Sequence, residues 1–315
     1  MPWKAYLKII RPVNLLIMAG MIVLVRYAIF LPIFKQNGLS GLMPGWQFLL
    51  LVMATLFIGA GGYVINDVLD IEIDKINKPR KQVIGRQISD AKGKSLHFNL
   101  TAVGVVFGVA FSYFSGNIML GVLFVIIPTA LFYYSFKYKY LPAAGNLVVA
   151  ALSALAVIIY WVFEFYHLKS QPDAFVDASR YFILLNHLIL PVAAFAFMVS
   201  LIREIVKDAQ DLEGDARFGC RTLPVVLGKQ GTKILVIILE VLAIIGLAWF
   251  QLHLDRMGFG LMSYSLILTQ VLFALAVLLT VTSGTKRSYS RLSTLFKVIM
   301  LTGMLPLIAI WFRNI

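Results

Sequence analysis

The chain has 315 residues, of which 60% are hydrophobic and only 14% charged, and it carries a formal net charge of +13. A soluble domain of this length cannot bury so much apolar surface, so the composition excludes a water-soluble protein and makes lipid the solvent. The single cysteine, Cys220, excludes an internal disulfide, and it has no Cys or His neighbours at zinc-binding spacing.

Nine apolar segments follow one another along the chain, each near the roughly 20 residues needed to cross a bilayer. Backbone groups must be satisfied internally in lipid, and long unbroken apolar runs lack the alternation of a barrel. The sequence therefore predicts an all-α integral membrane bundle of nine transmembrane helices in a single domain, residues 1–315. The predicted segments are 12–33, 46–65, 97–115, 118–136, 141–163, 181–201, 234–253, 261–282 and 298–312.

The basic residues indicate the orientation of the bundle. With a cytoplasmic N-terminus, the N-terminal stretch and the loops after segments 2, 4, 6 and 8 contain 22 of the 28 Lys and Arg residues. This asymmetry is the one expected for cytoplasmic loops. The charges form no basic stripe with interleaved aromatic residues, so membrane lipids rather than nucleic acid are the predicted partners.

An acidic stretch follows the second segment, in GGYVINDVLDIEIDKINKPRK at residues 61–81. Asn66, Asp70 and Asp74 are spaced i, i+4 and i+8, so they share one face if the helix continues. A second stretch, REIVKDAQDLEGDARFGCRTLP at residues 203–224, leaves the sixth segment in the same way. There the spacing i, i+3 and i+7 places three further carboxylates on one face: Asp208, Asp211 and Asp215.

The loops that contain these stretches, with Asp90 included, hold 10 of the 15 Asp and Glu residues, although such loops are expected to be basic. Like charges at this spacing repel each other, so a cation is expected to offset the repulsion. Oxygen ligands without His or Cys suit Mg²⁺, which commonly bridges protein carboxylates and substrate phosphates. Two such clusters facing each other predict a diphosphate site. A simpler alternative is a pair of solvated loops whose acids are neutralised by neighbouring Lys and Arg.

These motifs resemble those of the UbiA-type prenyltransferases. NDVLDIEID matches the family's first Asp-rich motif, and DLEGD followed by FGCRTLPVVLG is similar to its second. Tyr133 and Lys137 in YYSFKYKY fit a YxxxK arrangement, and RPVN at residues 11–14 resembles the start of the family's first helix. The resemblance runs along most of the chain.

The resemblance implies a Mg²⁺-dependent transfer of a prenyl group from its diphosphate to a lipophilic acceptor. It implies metal binding by Asn66, Asp70, Asp74, Asp208, Asp211 and Asp215, with Asp70, Asp74, Asp211 and Asp215 as the catalytic residues. Substrate binding is implied for Asn14, Tyr133, Lys137 and Lys207. The departing pyrophosphate leaves an allylic cation, which a dry apolar cavity protects from water.

Short segments, GNLVVA at 145–150 among them, are most similar to the branch that transfers a geranylgeranyl group to geranylgeranylglycerol phosphate. An aromatic acceptor of quinone biosynthesis is the alternative, and a secondary transporter or a scaffold without chemistry are alternatives of other classes. The expected location is the cell membrane of a bacterium or archaeon, with the site on the cytoplasmic side. For Arg26 and Glu240, two charges at membrane depth, a mutual ion pair and side chains that extend to the membrane interface are equal alternatives.

Overall fold

The computed structural model describes residues 3–80 and 82–310, and within these ranges the regular secondary structure is helical apart from an isolated bridge between Ile84 and Ile88. Nine helices of the described residues are long and apolar enough to cross a membrane. The predicted all-α membrane bundle is confirmed, although residues 311 and 312 of the ninth predicted segment lie outside the described residues. Spans 1 to 9 are Pro12–Gln36, Gly45–Leu69, Asp90–Phe114, Ile118–Phe136, Ala144–Lys169, Phe182–Arg217, Leu223–Arg256, Gly260–Thr282 and Lys286–Ile310.

Several spans depart from a regular α-helix. Span 1 contains a π-helical turn at Val25–Phe30, span 4 begins with a 3-10 turn at Ile118–Val122, and Gly228 interrupts span 7 with a φ of +68°. Span 9 consists of the helices Lys286–Thr302 and Leu305–Ile310. Short segments outside the spans are the helices Trp3–Ile10, Ile71–Asn77 and Pro172–Ser179 and a 3-10 turn at Tyr138–Tyr140.

Small residues let spans 2 and 3 approach each other closely. A Cβ added to Gly104 would lie 2.9 Å from the backbone nitrogen of Ile58 and 3.1 Å from the carbonyl oxygen of Ala54. Such close backbone contact replaces the hydrophobic driving force that lipid removes. It fixes the span that leads into the first acidic stretch.

Span 6 lies at the centre of the bundle and packs against spans 5, 7 and 9. It runs for 36 residues, far beyond the predicted end at residue 201, because its last turns extend past the apolar region as a polar helix. The second acidic stretch is therefore carried on the rigid continuation of a membrane helix.

Arg26 and Glu240 do not form the ion pair that was one of the two possibilities for them. Arg26 lies 3.9 Å from Glu164 of span 5 and donates hydrogen bonds to the Tyr160 hydroxyl and to the carbonyl oxygen of Met43. Glu240 instead accepts a hydrogen bond of 2.8 Å from the Thr280 hydroxyl on span 8. The two charges thus belong to separate helix contacts, which sequence spacing does not reveal.

Candidate active site

The first acidic stretch lies where span 2 ends. The α-helix stops at Leu69, and Asp70, with φ −93° and ψ 7°, separates it from the helix Ile71–Asn77. The i to i+4 backbone bonds nevertheless continue, from the Asp70 N–H to the Asn66 carbonyl and from the Asp74 N–H to the Asp70 carbonyl. The predicted spacing is kept through an interruption that the sequence did not indicate.

The second acidic stretch forms the last turns of span 6, as its spacing predicts. Asp208 accepts a hydrogen bond of 2.7 Å from the side-chain amide of Asn146, at the start of span 5. Asp215 is buried and accepts from the amide of Asn77 at 3.3 Å. Two asparagines therefore orient carboxylates of this stretch.

The two stretches meet through two adjacent residues, Asn77 and Lys78. The side-chain oxygen of Asn77 accepts from the backbone N–H of Gly214 at 3.0 Å, in addition to the bond from its amide to Asp215. The Lys78 ammonium lies 3.2 Å from Asp74 and 3.3 Å from Asp211. The expected juxtaposition of the acidic clusters is present, and a lysine bridges them.

The carboxylates that surround Lys78 shift the pKa values of the lysine and of Asp74. Burial works against the charge on Lys78, but Asp211 and Asp74 outweigh it and raise the pKa of the lysine above its ordinary value. Burial also raises the pKa of Asp74, and the negative charge of Asp70 adds to this effect, while Lys78 opposes it. The site is built to hold positive charge among its acids.

The basic residue that reaches the first stretch from the loop after span 4 is Lys139. Its ammonium lies 2.5 Å from Asp70, whereas Lys137 is exposed. Tyr133 is 47% exposed, and its neighbour Tyr134 lines the cavity described below. The structure does not bring the predicted pair Tyr133 and Lys137 to the acids, because the chain leaves the helix at Phe136 and turns through Tyr138–Tyr140.

A cavity of about 270 Å³ opens beside the acidic stretches and extends between spans 1, 2, 4, 5, 6 and 9. Its polar end contains Asn14 and Asn66, both predicted site residues, together with Tyr63 and Tyr134. Its remaining wall is apolar, with Met21, Ile58, Phe124, Leu131, Val157 and Phe195 among the lining residues.

Three cations line the same polar end: Arg11, Arg203 and Lys207. Arg11 lies 2.5 Å from Asp67 and 4.9 Å from the centre of the Tyr63 ring. Burial opposes its charge, but Asp67, Tyr63 and Glu204 raise its pKa above the ordinary value. Lys207 lies 2.8 Å from Glu204, and Arg203 lies 3.4 Å from the same carboxylate.

The donor atoms present fit a hard cation such as Mg²⁺. Within residues 3–80 and 82–310, the buried side-chain oxygens Asn66 Oδ1 and Asp211 Oδ1, one on each stretch, have no hydrogen-bond partner. No group of three or more His, Cys, Asp or Glu side chains in that part of the chain is arranged to hold a metal ion. Lys78 and Lys139 stand among the carboxylates instead, so the six predicted ligands do not converge on one point.

Sequence reasoning missed Asn77, Asn146, Lys139, Arg11 and Arg203. Asn146 lies in GNLVVA and Arg11 in RPVN, two segments that resemble those of the family but do not show which side chains the residues contact. Asn77 and Lys139 each follow a predicted motif by a few residues, but only the folded chain shows which partner they reach. The spacing of Arg203 from Lys207, i and i+4, was an available signal that both face one side of span 6.

The fold and the site together define a polytopic membrane protein whose two acidic stretches flank the mouth of an apolar cavity. The model of the UbiA prenyltransferase family matches residues 15–304. The chain therefore belongs to the UbiA prenyltransferase family, and the resemblance of its motifs is confirmed.

Individual relatives agree with this membership. Digeranylgeranylglyceryl phosphate synthase of Saccharolobus solfataricus is 33% identical over 258 residues, which cover 82% of each chain. A solved structure described as digeranylgeranylglyceryl phosphate synthase in membranes is 26% identical, covers 98% of this chain and 99% of its own, and has a TM-score of 0.59. A UbiA homologue from Archaeoglobus fulgidus, bound to DMAPP and Mg²⁺, shares the fold at 16% identity with a TM-score of 0.57, covering 95% of this chain and 99% of its own.

Proposed function

We propose that this protein transfers a geranylgeranyl group from its diphosphate to the glycerol hydroxyl of geranylgeranylglycerol phosphate, in a single membrane-embedded prenyltransferase domain. The observation that carries the proposal is the meeting of two acidic stretches, through Lys78, beside a cavity with an apolar wall. The synthase names of the similar proteins support the choice of acceptor.

The donor diphosphate binds between the two stretches. Asn66, Asp70 and Asp74 on one side and Asp208, Asp211 and Asp215 on the other would hold Mg²⁺, and the buried oxygens Asn66 Oδ1 and Asp211 Oδ1 have no hydrogen-bond partner among the described residues. When bound, the metal supplies positive charge against the diphosphate oxygens and lowers the energy of its departure. Lys78 and Lys139 have ammonium groups at the same acids and can turn toward phosphate oxygens.

The transfer exchanges one C–O bond for another. The bond from the allylic carbon to the diphosphate breaks with both electrons on the leaving oxygen, and the acceptor hydroxyl oxygen then bonds to that carbon and releases its proton. Water would capture the same cation, so an enclosed cavity is required. The apolar wall formed by Met21, Phe124 and Leu131 excludes water and accommodates an isoprenoid chain.

The orientation that we propose places the N-terminus and the site on the cytoplasmic side of an archaeal or bacterial cell membrane. The 22 of 28 Lys and Arg residues on that side support it. Both acidic stretches, at the ends of spans 2 and 6, lie on the same side of this topology.

The test is a transfer assay in detergent with labelled geranylgeranyl diphosphate and Mg²⁺, offering geranylgeranylglycerol phosphate and 4-hydroxybenzoate side by side. We expect product on the glycerol phosphate, its loss with a chelator, and a fall of at least about a hundredfold in Asp70→Asn and Asp211→Asn, as expected when groups that bind a reacting diphosphate are removed. Asp173→Asn, a change in the short helix Pro172–Ser179, is the matched control and should keep full activity.

Other outcomes assign other functions. Product on the aromatic acid alone moves the protein to quinone biosynthesis with the same diphosphate chemistry. Absence of Asp-dependent turnover with every donor rejects the enzyme and favours the transporter. Full activity of both Asp variants rejects the site proposed here.

A further inference from the structure

The cations Arg11, Arg203 and Lys207, named here the cavity cations, are distinct from the lysines that contact the metal-binding carboxylates. Lys78 and Lys139 bind Asp74, Asp211 and Asp70, whereas the cavity cations line the inner polar wall. Arg203 lies five residues before Asp208 and eight before Asp211 on one helix, about 7.5 and 12 Å along its axis, whereas Lys207 directly precedes Asp208. Arg203 is therefore set apart from the acidic stretch, and Lys207 lies between the two anion positions.

The side chains of span 6 that face the cavity form one helical stripe. Ser200, Arg203, Glu204 and Lys207 line it at spacings of three and four residues. A phosphate group is recognised by hydrogen-bond donors that line its cavity. Arg203, Lys207 and the hydroxyl of Ser200 are such donors on this stripe.

The charge of the wall is not balanced by the protein. Glu204 is the only carboxylate among the described residues that line the cavity, and it is shared by Arg203 and Lys207. With Arg11 the wall has three positive charges against one negative charge, although Asp67 compensates Arg11 from outside the lining. One positive charge therefore remains at this end of the cavity, and a bound anion would neutralise it in the low dielectric of the membrane.

One donor of the wall has no partner. The Nε atom of Arg203 is buried and makes no hydrogen bond to any residue in the ranges 3–80 and 82–310. A buried N–H without a partner is costly, and guanidinium groups bind phosphate through two parallel bonds. The Nε–H of Arg203 thus lacks an acceptor in the described part of the chain.

We propose that the cavity cations bind the phosphate monoester of the acceptor, with Arg203 and Lys207 as its principal ligands. This inference rests on the proposed function and assigns the headgroup chemistry that selects the acceptor. A phosphate monoester offers three acceptor oxygens and close to two negative charges to Lys207 and to the guanidinium of Arg203 with its unpartnered Nε–H, whereas an aromatic carboxylate offers two oxygens and one charge. Its glycerol hydroxyl then lies between this wall and the acidic stretches, where the donor binds.

The experiment measures KM for donor and acceptor separately in neutral-lipid nanodiscs, for wild type, R203Q, R203K and K207Q. We expect R203Q and K207Q to raise the KM of geranylgeranylglycerol phosphate about ten- to a hundredfold, the range for lost hydrogen bonds to a charged group, with the donor KM nearly unchanged. R203K, which keeps the charge, should recover part of the loss. R287Q, an exposed Arg to Gln change, is the control.

A second substrate separates phosphate binding from a general loss of function. Unphosphorylated geranylgeranylglycerol should be a poor acceptor for wild type, and R203Q should remove most of the difference between the two acceptors. Inorganic phosphate should compete with the acceptor in wild type and much less in R203Q. The use of neutral lipid excludes bulk anionic lipid as the bound phosphate.

Three results would overturn the inference: a rise in donor KM in place of acceptor KM, an equal loss with both acceptors, or phosphate that competes only with the donor. If R203Q lowers the melting temperature, its kinetic loss can reflect instability. The KM values of K207Q and R203K then test the inference in its place. Wild type that never uses the glycerol phosphate contradicts the proposed function itself, and this outcome is separate from any effect of Arg203.

Discussion

The side-chain amide of Asn77 contacts the backbone of Gly214, and the two acidic stretches meet at this point because Gly214 has no side chain. The Asn77 oxygen accepts from the Gly214 N–H at 3.0 Å, and a Cβ on Gly214 would lie 2.4 Å from that oxygen. The same amide donates to Asp215 at 3.3 Å. This contact fixes the distance between the carboxylates of the two stretches.

Gly214→Ala is expected to separate the two stretches. The added methyl group meets the amide of a buried residue, and such overpacking typically costs about 1–3 kcal/mol of stability. We expect a lower melting temperature and a larger loss of prenyl transfer than the loss of stability explains, because the carboxylates proposed to bind Mg²⁺ move apart. Gly246→Ala is the control, since its Cβ would have no atom within 4 Å. Equal activity of the two variants would contradict the role of the contact.

Lys139→Gln and Lys137→Gln distinguish the two lysines of the loop after span 4. Lys139 touches Asp70, so its loss should lower kcat/KM about ten- to a hundredfold, the range for a charge-assisted bond. Lys137 is exposed, and its change should stay within about twofold. The assay measures kcat/KM of prenyl transfer for the donor, with the acceptor at a saturating concentration and the donor concentration varied. The opposite ranking would support the YxxxK prediction from the sequence.

A pair of double-mutant cycles tests the partner of Arg26. The Arg26 and Glu164 side chains are 7% and 0% exposed, and Tyr160 connects them through bonds of 3.1 and 2.5 Å. We expect a coupling energy of about 1–3 kcal/mol between R26Q and E164Q in unfolding measured in detergent, as for residues of one network. The cycle of R26Q with E240Q should give about 0.5 kcal/mol or less. Strong coupling in the second cycle would contradict the observed pairing.

Cys220 should react slowly with alkylating reagents. Burial, with a further contribution from the negative charges of Asp215 and Asp70, raises the pKa of its thiol to about 11. Only the thiolate reacts, so alkylation at neutral pH is expected to be about a hundredfold slower than for an ordinary cysteine. The rate should rise about tenfold per pH unit toward that pKa. Mass spectrometry of native protein between pH 7 and 9 checks this, with denatured protein as the control. Rapid labelling at pH 7 would contradict it.

The sequence by itself determined the bundle and the chemical type of the site. Nine apolar segments are local features that hydropathy measures directly, and each has a helix in the described residues. The spacing of Asp208, Asp211 and Asp215 is likewise local, and their helix forms as predicted. The sequence motifs also indicated the UbiA prenyltransferase family, and the match of the family model to residues 15–304 confirms it.

The tertiary structure decided which side chains meet. Lys139 rather than Lys137 reaches Asp70, because a turn after Phe136 redirects the chain over two residues. Arg26 pairs with Glu164, which the sequence did not indicate, and Asn77 contacts Gly214 at a separation of 137 residues. Each of these contacts joins helices that are distant in sequence. Their partners depend on how whole spans pack and rotate against one another, and local periodicity has no information on that rotation.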